Sequence, residues 1–166
     1  MEYKTPEELF SFLKNNFKYD NNHDITYSIE EFKNNLSGHC FDITWYERSE
    51  FKNMGIPCEI YFIWGSKNGN YLKNFNSHMF LVYKHNNKYC WFEVSWYNQQ
   101  GIHRYNNFDD LKNDLSKKAA SHDADEIVWW RAKYEPGKDT WEIIKNYFSK
   151  QPLYKIKVNG GKDGNK

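Results

Sequence analysis

The stretch SGHCFDITWY, residues 37–46, decides the fold because it joins a turn to a buried helix beside a cysteine. Ser37 is predicted to be the N-cap, since its hydroxyl can accept a hydrogen bond from a backbone N–H two or three residues later. Cys40 would then be the third helical residue, where unpaired N–H groups and the helix dipole favour a thiolate. Gly55 is placed as the C′ residue of this helix, and Pro57 cannot continue it.

The composition of the chain limits the classes of protein to which it can belong. The 166 residues suit one domain, predicted for residues 1–158, with 159–166 a disordered C-terminal tail. The 23 basic and 22 acidic residues leave a net charge of +1. The chain therefore lacks the excess of positive charge that is typical of proteins that bind nucleic acid or an anionic membrane. Aromatic residues make up 19% of the chain, so part of the core must be aromatic and some rings are expected to line a cleft.

The cysteines and the N-terminus indicate a cytoplasmic protein. The chain has three cysteines, an odd number that argues against a disulfide framework. The first residues lack the apolar run of a signal peptide, and no stretch is apolar enough to span a membrane. Cys58 and Cys90 lie in β-type runs and are predicted to be core thiols, an interpretation that also stays open for Cys40.

Helices and strands are predicted to segregate into an N-terminal helical part and a later β-rich part. Capping boxes begin helices after Thr5 and Ser28, and two further helices are expected near residues 106–118 and 140–148. The runs rich in β-branched and aromatic residues predict strands at 58–64, 78–84, 88–94, 126–134 and, as an edge strand, 153–158.

One predicted hairpin brings a histidine close to a carboxylate. A tight turn at Asn86 and Asn87 makes residue numbers across the two strands sum to about 173, because paired residues are equidistant from the turn. His78 and Glu93 sum to 171, which makes them near neighbours with Cβ atoms roughly 5 Å apart. This spacing suits an imidazole–carboxylate hydrogen bond, and a thiol nucleophile needs such an oriented base.

The chain resembles the transglutaminase-like, papain-like cysteine enzymes, as a small bacterial member. The family pattern has Gly-x-Cys on a helix, then Gly-Ile-Pro, then a strand beginning with His, then a strand with Trp before Asp. The chain matches this pattern in order over residues 5–96, with Glu93 in place of the usual Asp. The resemblance implies an α+β, papain-like core in which the nucleophile helix packs on an antiparallel β-sheet. It also implies Cys40 as nucleophile, His78 as base and Glu93 as the orienting carboxylate.

The implied chemistry is acyl transfer from an amide through a thioester, with a peptide or protein as substrate. Water as acceptor makes a peptidase or amidase, the favoured form, and a lysine-type amine makes a protein-glutamine crosslinking enzyme. The backbone N–H of Cys40 is one expected oxyanion donor. The second donor stays open among Asn34, Asn35 and Tyr27.

Other residues carry weaker alternatives. His39 is expected to line the cleft or face solvent, and His103 is a rival base in a loop-like stretch. The stretch 122–125 is expected to be solvated, and without CxxC or HExxH no metal or cofactor is expected. Of the paired aromatic residues at 96–97 and 129–130, one of each pair is expected in the core and the other on a ligand shelf.

The alternative to an enzyme is a catalytically silent transglutaminase-like module that holds a peptide in its aromatic cleft. The enzyme hypothesis and the binding-module hypothesis differ in whether the thiol of Cys40 is activated. An activated site predicts that iodoacetamide alkylates Cys40 at neutral pH well ahead of the other two cysteines. The sequence does not specify the substrate or the oligomeric state.

Overall fold

A computed structural model describes residues 2–20 and 22–158, which form an α+β fold. The predicted tail, residues 159–166, lies outside the described residues. The five α-helices of the described ranges are α1 (Pro6–Asn16), α2 (Ile29–Asn35), α3 (Cys40–Asn53), α4 (Phe108–Ala119) and α5 (Thr140–Phe148). Thr5 and Ser28 cap the first two as predicted, each accepting a bond from a backbone N–H three residues later. None of these helices is long and apolar enough to cross a bilayer.

Most strands belong to one antiparallel sheet. The strands are β1 (Lys18–Tyr19), β2 (Ser37–Gly38), β3 (Cys58–Lys67), β4 (Asn70–Tyr71), β5 (His78–His85), β6 (Lys88–Glu93), β7 (Gly101–Tyr105), β8 (Glu126–Arg131) and β9 (Tyr154–Lys157). The sheet has the order β7-β6-β5-β3-β8-β9, and β4 pairs with β3 outside that path. The short β1 and β2 pair with each other in parallel. The edge position predicted for the last strand is confirmed.

The β5–β6 hairpin has the predicted register. Asn86 and Asn87 have φ angles of 52° and 62°, the left-handed conformation that Asn tolerates in a tight turn. Leu81 pairs with Phe92, so the partner numbers sum to 173 as expected. This register brings the first residue of β5 and the last residue of β6 to the same end of the sheet.

Two parts of the sheet differ from the prediction. β3 runs on to Lys67, three residues past the end predicted at residue 64, because the strand gains partners in β4 and β8. The stretch around His103 is not a loop but the edge strand β7, which pairs with β6. Its sequence, GIHRY, has little apolar alternation because one of its edges is unpaired, so the periodicity gave no strand signal.

The sheet separates two cores, and the larger one carries α3. Successive side chains of β3 point to opposite faces, so Phe62 belongs to the core shared with α1, α2, α3 and α5. Ile63 belongs to the core under α4. On the first face α3 packs against β3 and β5, and the hydroxyl of Thr44 donates to the carbonyl of Met79 at 3.1 Å. This contact fixes the start of α3 beside the start of β5.

Candidate active site

The nucleophile candidate lies at the first residue of α3. The N-cap is His39, so the prediction that Ser37 caps this helix is wrong. The Nδ1 of His39 accepts the N–H of Phe41 at 3.3 Å, and Oδ2 of Asp42 accepts the N–H of His39 at 3.0 Å. Cys40 is therefore the first helical residue rather than the third, and it stays within the turn whose N–H groups lack helical partners.

The two residues before the cap form β2 because their backbone pairs with β1. The backbone of Gly38 lies close to the side chain of Asp42. A Cβ atom at Gly38 would lie 2.7 Å from Oδ2 of Asp42, and Gly38 has a φ of +158°. Glycine is thus required where the chain turns from β2 into α3. Pairing of Tyr19 with Gly38 places β1 directly beside the cysteine turn.

The base and carboxylate candidates are hydrogen-bonded to each other. His78 begins β5 and Glu93 ends β6, and Nε2 of His78 lies 2.6 Å from Oε1 of Glu93. Both residues are buried. This contact uses Nε2 and leaves Nδ1 as the ring nitrogen available to a thiol.

Three further donors surround the carboxylate of Glu93. The indole of Trp91 donates to Oε1 at 2.9 Å, and the backbone N–H of Trp96 donates to Oε2 at 2.9 Å. The hydroxyl of Ser95 donates to Oε2 at 3.3 Å. Because every neighbour is a donor, the pocket fits an ionised carboxylate and holds it in one orientation.

Cys40 lies near enough to His78 to affect the pKa of its imidazole, so it belongs to the same group as His78 and Glu93. Burial alone would lower the pKa of His78. The negative charge of Glu93, its hydrogen bond to the ring and the nearby Cys40 outweigh burial and raise this pKa to about 10. The structure therefore brings together the three residues singled out in the sequence, with an imidazole that favours its protonated form.

A fourth ionisable group lies buried in the same region. Glu47, on α3, is 2% exposed, and burial raises its pKa well above the usual value, reinforced by the negative charge of Glu93. Burial thus favours the neutral form of Glu47 beside the pair of His78 and Glu93.

A cleft of about 920 Å³ opens onto His78. Its wall includes Trp96, whose ring meets the imidazole edge to face at 5.4 Å, and the loop 73–77 that leads into β5. Cys40 is not among the residues that line this cleft and is 7% exposed. The cleft size falls in the range of small-ligand and peptide sites.

Tyr19 lies at the cleft wall beside the nucleophile turn. Burial raises the pKa of its phenol, and the nearby Cys40 and Asp42 raise it further, so the hydroxyl stays a neutral donor. Of the donors expected from the sequence, Asn34 and Asn35 are exposed on α2, and Tyr27 stacks on His23 at 4.0 Å. Tyr19 was not among the sequence candidates because only the β1–β2 pairing brings it near Cys40.

A histidine–carboxylate cluster adjoins the nucleophile turn and was missed in the sequence. It consists of His23, His39 and Asp42, whose nitrogen and oxygen atoms all lie within 4.8 Å of one another. Burial, followed by the charge of His23, lowers the pKa of His39 to about 4. Burial raises the pKa of Asp42, although the N–H groups of Tyr27 and His39 both donate to it.

The remaining candidates lie away from the three-residue site. His103 donates through Nε2 to the carbonyl of Gln99 at 2.6 Å and stacks on Trp91. The side chains of 122, 123 and 125 are exposed, and within residues 2–20 and 22–158 only the cluster of His23, His39 and Asp42 has metal-ligand spacing. Trp129 and Trp130 are both buried, one in each core, so neither belongs to a ligand shelf.

The other two cysteines are free thiols whose burial disfavours the thiolate. Burial raises the pKa of Cys58 to about 12, and burial also raises the pKa of Cys90. Cys90 is buried in the core, as predicted, whereas Cys58 is only partly buried.

Neither a scan against protein-family models nor a search of curated proteins returned a match for this chain.

Proposed function

We propose that the protein is a cysteine-dependent acyl-transfer enzyme that acts on amide bonds, a transglutaminase-like hydrolase with a papain-like core. The observation that carries the proposal is the convergence of Cys40, His78 and Glu93 from a helix start and two strand ends, with His78 and Glu93 hydrogen-bonded to each other. The three residues occupy the positions that the family pattern assigns to nucleophile, base and orienting carboxylate. Glu93 replaces the usual Asp, and its 2.6 Å contact to the imidazole supports the same role.

The reaction follows from where the protons can go. Nδ1 of His78 holds a proton at neutral pH, since the pKa of the ring is raised to about 10, and the sulfur of Cys40 attacks the amide carbonyl as a thiolate. His78 then gives that proton to the leaving amine as the C–N bond breaks, which leaves a thioester on Cys40. Water attacks the thioester while His78 takes a water proton, and departure of the acyl group as a carboxylic acid restores the thiolate and the imidazolium. Glu93 stabilises the imidazolium throughout.

Two donors are available for the oxyanion of the tetrahedral intermediates. The backbone N–H of Cys40 belongs to the unpaired first turn of α3 and points along the helix dipole. The hydroxyl of Tyr19, neutral and at the cleft wall, is the second. Such preorganised donors supply a large part of the catalysis in acyl transfer.

A binding module is the second candidate, and one observation favours it. Cys40 is 7% exposed and lies outside the lining of the cleft, so the aromatic cleft could hold a peptide without any reaction at sulfur. On this account the contacts among Cys40, His78 and Glu93 only stabilise the fold.

A burst experiment distinguishes the acyl-transfer enzyme from the binding module. With p-nitrophenyl acetate as an activated acyl donor, the enzyme should release one equivalent of nitrophenol in a burst, with an acetyl mass on Cys40. Cys40→Ala and His78→Ala should abolish the burst. Cadaverine added to the acylated enzyme tests transfer to an amine against hydrolysis. A folded wild-type protein without a burst or an adduct would rule out the enzyme and leave the binding module.

A further inference from the structure

Three side chains with possible metal-ligand atoms converge at the N-terminus of α3, namely His23, His39 and Asp42. Nε2 of His23 lies 3.3 Å from Oδ2 of Asp42, and Nδ1 of His39 lies 3.3 Å from the same oxygen. His39 is only 7% exposed, and the side chain of Asp42 is fully buried. A buried set of this kind is stable only if its acceptors are satisfied.

The hydrogen bonds around the cluster show which atoms carry the lone pairs. Nδ1 of His23 lies 2.7 Å from the carbonyl of Ile25, so this nitrogen carries the proton and Nε2 of a neutral ring is an acceptor. Nδ1 of His39 accepts the N–H of Phe41 at 3.3 Å with its one lone pair, so a metal ion at this nitrogen would have to displace that long bond. Both acceptors face the carboxylate of Asp42, which is itself an acceptor.

A proton shared between His23 and Asp42, whose atoms lie 3.3 Å apart, is the arrangement with which a metal ion would compete. Although Nε2 of His23 is within 3.3 Å of Oδ2 of Asp42, it is shielded from water and has no hydrogen-bond partner among the described residues. Nε2 of His39 is likewise shielded and unpartnered. Buried polar groups are normally hydrogen-bonded, so these two nitrogens leave bonding capacity unused beside a buried carboxylate.

We propose that His23, His39 and Asp42 bind a divalent transition-metal ion of the zinc class beside the nucleophile turn. Two imidazoles and one carboxylate are a common zinc ligand set, with water as the fourth ligand. Ligands about 2.1 Å from a tetrahedral ion lie roughly 3.4 Å apart, close to the two separations of 3.3 Å. The bond from His23 Nδ1 to the Ile25 carbonyl is the outer contact that fixes a ligating imidazole.

One adjustment is needed for the ion to bind. The rings of His23 and His39 stack 4.8 Å apart at an angle of 12°, and the ligand atoms are separated by up to 4.8 Å. In a tetrahedral site with bonds of about 2.1 Å the ligand atoms lie roughly 3.4 Å apart, so one ring must move inward by about 1.4 Å. The side chain of His23 is 17% exposed and belongs to a loop, so it is the ring with room to move.

The ion would act on structure and not on the acyl-transfer chemistry. Asp42 holds the N–H of His39, and His39 immediately precedes Cys40, so a metal bound here would clamp the turn that presents the nucleophile. The proposal does not depend on the proposed function, since it uses none of the roles assigned to Cys40, His78 or Glu93.

The test uses the full chain, freed of metal with a chelator and then titrated with Zn²⁺ or Co²⁺. Calorimetry should show one equivalent of Zn²⁺ bound, with a rise in Tm. Co²⁺ should give the visible bands of a four-coordinate N/O site without a thiolate charge-transfer band. Cys40→Ser and His85→Gln, an exposed histidine on β5, should bind as the wild type does.

The decisive variant is His23→Phe, which keeps an aromatic ring on Tyr27 and should lose both the binding and the rise in Tm. His39→Gln should lose binding as well. A Co²⁺ thiolate band that disappears in Cys40→Ser would place the metal on Cys40 and His78 and overturn the proposal. An unchanged Tm at saturating Zn²⁺, with wild type and His23→Phe alike, would also overturn it.

Discussion

At the scale of single residues, Glu93 is the most constrained side chain of the candidate site. Four donors converge on its two oxygens, from His78, Trp91, Ser95 and the backbone of Trp96. An amide has only one acceptor oxygen, so a glutamine here would turn its NH₂ toward a donor and leave one group unsatisfied. The carboxylate therefore contributes to the stability of the fold as well as to the orientation of the imidazole.

Glu93→Gln should consequently lose both activity and stability. We expect single-turnover acylation to fall on the order of 10⁴-fold, the effect of making a triad carboxylate an amide. The free energy of unfolding should fall by about 1–3 kcal/mol from the unsatisfied donor. Glu93→Asp should retain substantial activity, because a shorter carboxylate still accepts from His78. Wild-type acylation by a folded Glu93→Gln protein would assign the site to a Cys–His dyad.

Glu47 makes stability depend on pH in a defined direction. Its pKa in the folded state is raised above the ordinary 4.5, mainly by burial, so above pH 4.5 the unfolded chain loses a proton that the folded chain keeps. Stability therefore falls as pH rises through this range. Glu47→Gln removes the titration, so its Tm should match wild type below about pH 4.5 and exceed it increasingly toward neutral pH. Thermal melts across this range test the effect, and a constant difference in Tm would contradict it.

At the scale of elements, the start of α3 depends on how β2 approaches it. Gly38→Ala would place a Cβ 2.7 Å from Oδ2 of Asp42 in a residue with a φ of +158°. We expect this change to displace the cap and slow the nitrophenol burst, in addition to lowering Tm. Gly69→Ala is the matched control, because its φ is +81° but no atom lies within 4 Å of the new Cβ.

Both variants should lose about 1 kcal/mol from the left-handed conformation. Only Gly38→Ala should change the burst rate, because Gly69 lies in the β3–β4 turn. Equal burst rates for the two variants would show that the β2–α3 approach does not position Cys40.

The elements predicted correctly are those with strong local signals. The hairpin register followed from Asn86 and Asn87, and the first two helices followed from Thr5 and Ser28, because a turn or cap acts within four residues. The cap of α3 was assigned wrongly because Ser37 pairs with β1, a strand too short to leave a pattern. β7 was missed for the related reason that edge strands need not alternate.

At the scale of the whole molecule, the site depends on contacts between distant segments. Cys40, His78 and Glu93 could be singled out because the sheet register and the helix start are encoded nearby. The cluster that contains His23 could not be predicted from the sequence. The loop that carries His23 is held in place by residues more than a hundred positions later in the chain. The N–H of Thr26 donates to the carbonyl of Lys138 at 2.8 Å, and its hydroxyl donates to the carbonyl of Glu135 at 2.6 Å.

The central claim, that the fold activates one thiol of three, is tested most directly by the rate of iodoacetamide alkylation at neutral pH, followed cysteine by cysteine by mass spectrometry. The account predicts that Cys40 reacts well ahead of Cys58 and Cys90, whose thiols burial keeps protonated. This preference should disappear in His78→Ala and in the urea-unfolded chain. Equal rates for the three cysteines in the folded wild type, or a Cys40 rate unchanged by His78→Ala, would contradict the account.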